Sequence, residues 1–359
     1  MWKRAEGTGQ QLKGMAGFDT LIAQNRAVDQ LKSALTEERI PNAFLFYGEE
    51  GVGKKTAAYA FAMACNCDKG LSYRGKTDKK AALVSGEIPC GRCRACKKIL
   101  SGNHPDIHIV APSGDIIRID QILSLCSRLK LKPNEARLRV AIIACADTMN
   151  ERSANALLKE LEEPPQNTLF ILTAKNSGGL LQTIISRCRP IRFNPIPQKR
   201  LASFLMDRHG LEADTAGIVA TLANGSISRA LSIKDDDWRS LRNWIIDILE
   251  DIDRQDAARR FLFAKSLAEK KKDIGYILAI MKTWYRDLAV FAHDQDAIIN
   301  HDIPERIKKG SVRFDEKKLI ACLEAIEDCE QSVSANADLL LALDALLLRL
   351  SGIRAASYS

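Results

Sequence analysis

No stretch of this 359-residue sequence approaches 18 uninterrupted apolar residues, which argues against a membrane-spanning helix. The opening Met1-Trp2-Lys3-Arg4 carries charge but no apolar run behind it, so no secretory signal is expected, and residues 1–16 read as a polar N-terminal extension. Internal repeats and low-complexity tracts are also lacking, so neither a repeat array nor a biased tail organises the chain. Charge of one sign is barely in excess: 53 Lys and Arg stand against 45 Asp and Glu, a net +8 without a concentrated basic stripe. That balance is compatible with a place near nucleic acid but does not point to a dedicated nucleic-acid binder. What is present, 46% hydrophobic and 27% charged residues, suits a soluble protein of two or three domains.

The first half alternates strand-like and helix-like segments, the pattern of a parallel sheet with helices on both faces. Strands are expected at Ala43–Tyr47, Ile107–Val110, Val140–Ala144, Thr168–Thr173 and Ile191–Phe193, with helices at Lys54–Ala64, Asp120–Leu131 and Glu151–Glu163. Asn150 is a fitting N-cap for the last of these, and Pro164-Pro165 its stop. After Pro195–Pro197 the pattern turns helical throughout, broken at Gly225-Ser226 and at the charged run Lys234–Asp237, a hinge or a solvated helix end. A Leu-rich stretch with helical period closes it at Ala335–Leu350 and reads as a buried bundle helix.

Gly48-Glu49-Glu50-Gly51-Val52-Gly53-Lys54 follows a strand and opens a helix, the context a P-loop requires. Its glycines let backbone N–H groups converge on phosphate oxygens, and Lys54 would reach the outer phosphates. The next residue of such a loop is Ser or Thr, whose hydroxyl holds Mg²⁺, but here it is Lys55. Thr56 carries a hydroxyl one position later, about 100° away around a helix. A hydrolysing P-loop enzyme also ends a later strand in carboxylates that hold the metal and orient water. The matching strand, Val140–Ile143, runs into Ala144-Cys145, and Asp147 beyond it reads as a turn residue ahead of Asn150. The expectation is a nucleotide cradle (Gly48, Gly51, Gly53, Lys54, Lys55 and Thr56) that can hold ATP without splitting it.

Several motifs together carry a family resemblance. Phe18-Asp19 with Gln24, Pro41–Phe46 into the P-loop, His104-Pro105-Asp106, Ile119-Asp120-Gln121, Ala154–Lys159 through Leu161-Glu162-Glu163-Pro164-Pro165, and Ser186-Arg187-Cys188 resemble bacterial sliding-clamp loader subunits, over about residues 17–197. The resemblance implies an AAA+ P-loop domain at 17–197 with a zinc module at about 65–100, a helical lid at 198–236 and a helical collar at 237–359 for oligomerisation. It implies a place in the DNA polymerase III holoenzyme, with gamma/tau and delta subunits as partners, loading the sliding clamp on primed DNA in the cytoplasm and away from membranes. Lys55, Ala144 and Cys145 depart from the gamma/tau pattern, as do Lys175 at a sensor position and Arg229, one place late in Gly225–Arg229. These departures favour a non-hydrolysing member, the alternative being an active gamma/tau-like ATPase. Ser186-Arg187-Cys188 resembles the motif whose arginine enters a neighbour's ATP site. An arginine finger in trans is therefore expected at Arg187, set against the plainer roles of capping a helix or pairing with an acid. A branch-migration helicase and a zinc-containing nucleic-acid binder are further competing readings.

Ten cysteines without a secretory signal fit a reducing compartment rather than a disulfide scaffold. Cys126, Cys145, Cys188, Cys322 and Cys329 read as small core residues. Cys90, Cys93 and Cys96 are spaced with two residues between each pair, and with one upstream thiol, Cys65 or Cys67, they could close a tetrahedral structural Zn²⁺ site. An iron–sulfur site, free thiols and His104 as a ligand are the competing readings. The family resemblance favours Cys67 as the fourth ligand.

Overall fold

Ala43-Phe44-Leu45-Phe46 is apolar at every position because both faces of its strand are covered. The protein, described by a computed structural model, is seen over residues 17–352 apart from 38, 72–77, 79, 80, 84, 236, 271, 272 and 336, so the expected extension at 1–16 lies outside the described residues. Two compact units divide at Ile196 and Pro197.

The first unit holds five strands: β1 (Ala43–Tyr47), β2 (Ile107–Val110), β3 (Arg139–Ile143), β4 (Thr168–Ala174) and β5 (Arg189–Arg192). Their order is β2-β3-β4-β1-β5, and every neighbouring pair is parallel. Register runs from Ala43 opposite Phe170 to Tyr47 opposite Ala174, and from Arg139 opposite Thr168 to Ile143 opposite Leu172. Alternation then sorts the side chains. Phe44, Phe46, Val140 and Ile142 join Leu31 of α1 (Asn25–Thr36) and Phe61 and Met63 of α2 (Lys54–Asn66) in one cluster. Leu45, Ala141 and Ile143 join Ile122 and Leu125 of α4 (Ile119–Leu129) and Leu157 of α5 (Glu151–Glu162) in the other. α3 (Arg94–Leu100) follows the cysteine run and adds Cys96 and Ile99 to the first cluster, and α6 (Gln182–Ile185) precedes the edge strand β5 and adds Ile184 to the second. That edge exposes Arg189, Pro190 and Arg192, residue types that discourage a further strand from pairing.

The second unit is helical: α7 (Gln198–His209), α8 (Ala213–Leu222), α9 (Ile227–Asp235), α10 (Trp238–Glu250), α11 (Ala257–Glu269), α12 (Ile274–Phe291), α13 (Pro304–Ser311), α14 (Glu316–Ser334) and α15 (Leu339–Leu350). Aspartates start four of them, Asp237, Asp256, Asp315 and Asp338 each accepting the amide three residues on. Within the expected break, Lys234 and Asp235 thus end α9, and Asp237 caps α10. The Asp338 cap also makes the last helix begin later than the expected Ala335, which instead ends α14. Trp284, Tyr285 and Met281 of α12 anchor this core, and α8 packs on α12, so the segments expected as lid and collar fall within one unit.

Candidate functional site

In a parallel sheet the loops beyond the strands' C-terminal ends line the ligand-binding crevice. β1 ends in the phosphate loop, β3 in Ala144-Cys145 and β4 in Lys175. Gly48, Gly51 and Gly53 all take positive φ, 147°, 78° and 103°. At Gly48 a Cβ would overlap the Phe193 carbonyl, so that glycine is required by packing as well as by backbone angle. Lys54 and Lys55 open α2, and Thr56 follows them. Lys54 Nζ donates to the loop's own Gly48 carbonyl and, at 2.6 Å, to that of Glu49. Burial pulls the Lys54 ammonium below its ordinary pKa, partly offset by the carboxylates of Asp147, Glu50 and Glu49. Burial lowers Lys55 as well.

The end of β3 offers no carboxylate. Cys145 is exposed at φ 54°, where the chain leaves the sheet in a left-handed turn, so it is not the core residue expected from its apolar context. Its amide donates to Thr173 Oγ1 at 3.0 Å. Asp147 lies in the short turn Ala146–Thr148, with Oδ2 accepting the Lys175 amide at 2.8 Å. It is nonetheless near enough to Lys54 to favour that ammonium's charge, a proximity the spacing in sequence does not reveal because β4 lies between β1 and β3. Lys175 Nζ stands 4.0 Å from Glu49, both half exposed. In the second unit, the Arg229 guanidinium lies against Gly275 of α12 and reaches the Ala223 carbonyl at 3.5 Å.

Arg187 follows α6 and is exposed. Its Nη2 donates to Glu162 Oε1 at 2.7 Å and its Nη1 to the Thr183 carbonyl at 2.8 Å. Glu162 is the final residue of α5, which Asn150 starts by accepting the Ser153 amide at 2.9 Å.

Cys67, Cys90, Cys93 and Cys96 bring their sulfurs within 4.8 Å of one another, whereas Cys65 stays on α2 beside the core. A tetrahedral site with Zn–S bonds of about 2.3 Å has S···S edges of about 3.8 Å, so the spread is close to what a metal would draw in. Successive amides point at successive sulfurs: Cys90 N–H at Cys67 Sγ, Cys93 N–H at Cys90 Sγ and Cys96 N–H at Cys93 Sγ, at 3.4–3.5 Å. Such donors stabilise thiolates. A hydrogen bond from the Cys96 thiol draws Cys67 down to about 4, and the same bond pushes Cys96 up. This donor set could hold a metal ion.

Behind it, Asn66 accepts the Arg137 and Leu138 amides and donates to the Leu138 carbonyl, while Arg137 Nη2 reaches the Cys67 carbonyl at 2.5 Å. Nothing in the sequence marks these two supports, since 70 residues separate Cys67 from Arg137. His104 is turned to another use: its Nδ1 accepts the Asp106 amide at 3.2 Å.

Residues 23–197 match the family model described as DNA polymerase III, delta subunit, and residues 236–352 match that of its C-terminal part. DNA polymerase III subunit delta' of Bacillus subtilis is 28% identical over 335 residues, 91% of this chain and 96% of the relative. DNA polymerase III subunit tau of the same organism is 32% identical over 224 residues, 61% of this chain but 37% of that one. Among solved structures, a DNA polymerase III gamma subunit-related protein from Thermotoga maritima aligns over 91% of this chain and 99% of its own at 17% identity, with a TM-score of 0.43.

Proposed function

Because the chain belongs to the DNA polymerase III delta-subunit family of clamp-loader proteins, we propose that it acts as a delta-prime-type subunit that does not hydrolyse ATP. It joins gamma/tau and delta subunits in the cytoplasm to load the sliding clamp on primed DNA, and Arg187 completes a neighbour's ATP site in trans. The observation that carries this reading is an intact phosphate cradle facing a strand end without acids: Gly48–Lys54 are in place, but Lys55, Ala144 and Cys145 stand where metal and water would be held. Phosphoryl transfer relies on charge placement, so a triphosphate here would lack the magnesium that neutralises it. The cradle of Gly48, Gly51, Gly53, Lys54, Lys55 and Thr56 can at most hold nucleotide. In the second unit, residues 198–236 serve as the lid and 237–359 as the oligomerising collar. The four-cysteine group holds a structural Zn²⁺, which staples an insert too polar to fold on its own burial.

The test is a pair of assays. The isolated chain should hydrolyse ATP no faster than background, and Arg187→Ala in the reconstituted complex should slow turnover by about 10³-fold, the scale of trans-arginine fingers elsewhere. Normal turnover by that variant complex removes the finger. The second reading, an active gamma/tau-like ATPase, draws on the proximity of Asp147 to Lys54. Steady hydrolysis by the isolated chain, abolished by Asp147→Asn, would establish it.

A further inference from the structure

Glu162 sits where helix electrostatics disfavour it. It ends α5, at the negative pole of the helix dipole, and Glu163 follows as the C-cap. Two adjacent carboxylates at that pole are unfavourable unless a cation answers them, and Arg187 answers Glu162. The support beneath Glu162 is rigid: Asn150 caps the start of α5, Leu157 and Leu161 are buried, and Pro164-Pro165 end the helix at a fixed place.

On the reading that Arg187 is a finger in trans, we propose that Glu162 is its positioning residue, holding the guanidinium aimed before a neighbour's phosphate arrives. The hydrogen bonds fit that role. Arg has five N–H donors. Glu162 takes one Nη2–H and the Thr183 carbonyl one Nη1–H, with Ser186 Oγ also 3.5 Å from Nη1. Among the described hydrogen bonds, Nε–H and the other Nη2–H are uncommitted, enough to meet a phosphate oxygen while the grip holds. The pair uses one carboxylate oxygen only, and the two side chains are 35% and 49% exposed, so solvent screens it and the hold is a splint, not a trap. A long side chain otherwise loses rotamer freedom when it engages a partner. Anchored in advance, it has already lost much of it.

The experiment uses the complex reconstituted with gamma/tau and delta subunits, clamp and primed DNA, and reads kcat and KM for ATP. Glu162→Ala should lower kcat by about tenfold with KM unchanged, a misplacement effect smaller than loss of the finger itself. Glu162→Gln, which keeps an accepting oxygen but loses the charge, should recover most of it and fall only about threefold below wild type. In an Arg187→Ala background neither substitution should cost anything more, because Glu162 acts only through Arg187. Wild-type turnover in Glu162→Ala beside an impaired Arg187→Ala would overturn the positioning role and leave the finger standing. An equal loss in both backgrounds would also overturn it, as a structural effect. If Arg187→Ala turns over normally, finger and splint fall together. Should Glu162→Ala fail to assemble, the Gln variant decides: a small kcat loss confined to the Arg187 background supports the role, and no loss refutes it.

Discussion

The phosphate loop and the cysteine cluster are built on the same plan and have kept different amounts of it. Each places backbone N–H groups around anionic atoms just ahead of a helix, α2 in one case and α3 in the other. The cluster retains a full set of donors: four sulfurs converge, amides point at three of them, and Arg137 and Asn66 brace the chain from behind. The loop retains its backbone but not its metal-holding side chains. The difference teaches that two requirements are separable. Gly48 is fixed by its close approach to the Phe193 carbonyl, a packing constraint that persists whether or not ATP is split. Lys55, Ala144 and Cys145 depart from a hydrolysing loop in side chain alone, so chemistry can leave while the cradle stays.

The comparison is most sharply tested at the complete site. Cys96→Ala should take bound zinc from one per chain to none in native mass spectra, and loss of a metal site of this kind costs about 4 kcal/mol. For a unit this size that corresponds to a fall of ~8–16 °C in melting temperature. Since zinc binds thiolates, mild acid with a chelator should reproduce the drop in the wild type. A wild-type chain isolated from its own host without metal, and no less stable than the variant, would break the contrast between the two cradles.

A smaller effect is expected just behind the cluster. Asp106 is buried and accepts the amides of Asn134, Glu135 and Ala136 at 2.8–2.9 Å. Burial works against its carboxylate, but these amides win and hold its pKa below the ordinary value. Asp106→Ala should cost about 2–3 kcal/mol by leaving them unsatisfied. The pH dependence has a definite sign. A depressed folded-state pKa stabilises above the unfolded value of about 3.9 and loses that contribution as pH falls through the folded one. Urea unfolding of wild type and variant from pH 7 downward should therefore converge only below about pH 4. A constant gap down to pH 2 would show that the amides do not depend on the charge.

Much of this was legible in the residues. Strands β1 and β2 begin and end where apolar runs between turn residues place them, and the Asn150 cap and the Pro164-Pro165 stop frame α5 closely. The cysteine spacing foretold three of the four convergent sulfurs, while the choice of Cys67 over Cys65 came from family resemblance. What stayed hidden depends on contacts distant in sequence. Asp147 nears Lys54 only because parallel crossovers bring strand ends together, and Arg137 reaches Cys67 across 70 residues. Cys145 misled for another reason: an apolar neighbourhood in sequence says nothing of a left-handed turn that swings one residue into solvent.

The smallest effects belong at the stripped loop, and they carry the comparison's sharpest risk. Lys54 already spends hydrogen bonds on the Gly48 and Glu49 carbonyls, and burial disfavours its charge. A lysine so engaged is not poised to stabilise a transferring phosphoryl group, so Lys54→Ala should leave turnover of the reconstituted complex within about twofold of wild type, far from the ~10³-fold loss expected for Arg187→Ala. Lys55→Thr restores the hydroxyl a magnesium ion needs but leaves Ala144 and Cys145 opposite it. The isolated variant should therefore still show background hydrolysis, because one neutral oxygen cannot replace the carboxylates that hold the metal. If Lys54→Ala instead slows the complex as severely as Arg187→Ala does, the loop contributes to catalysis in this chain, Asp147 becomes the acid to suspect, and the two cradles differ in degree and not in kind.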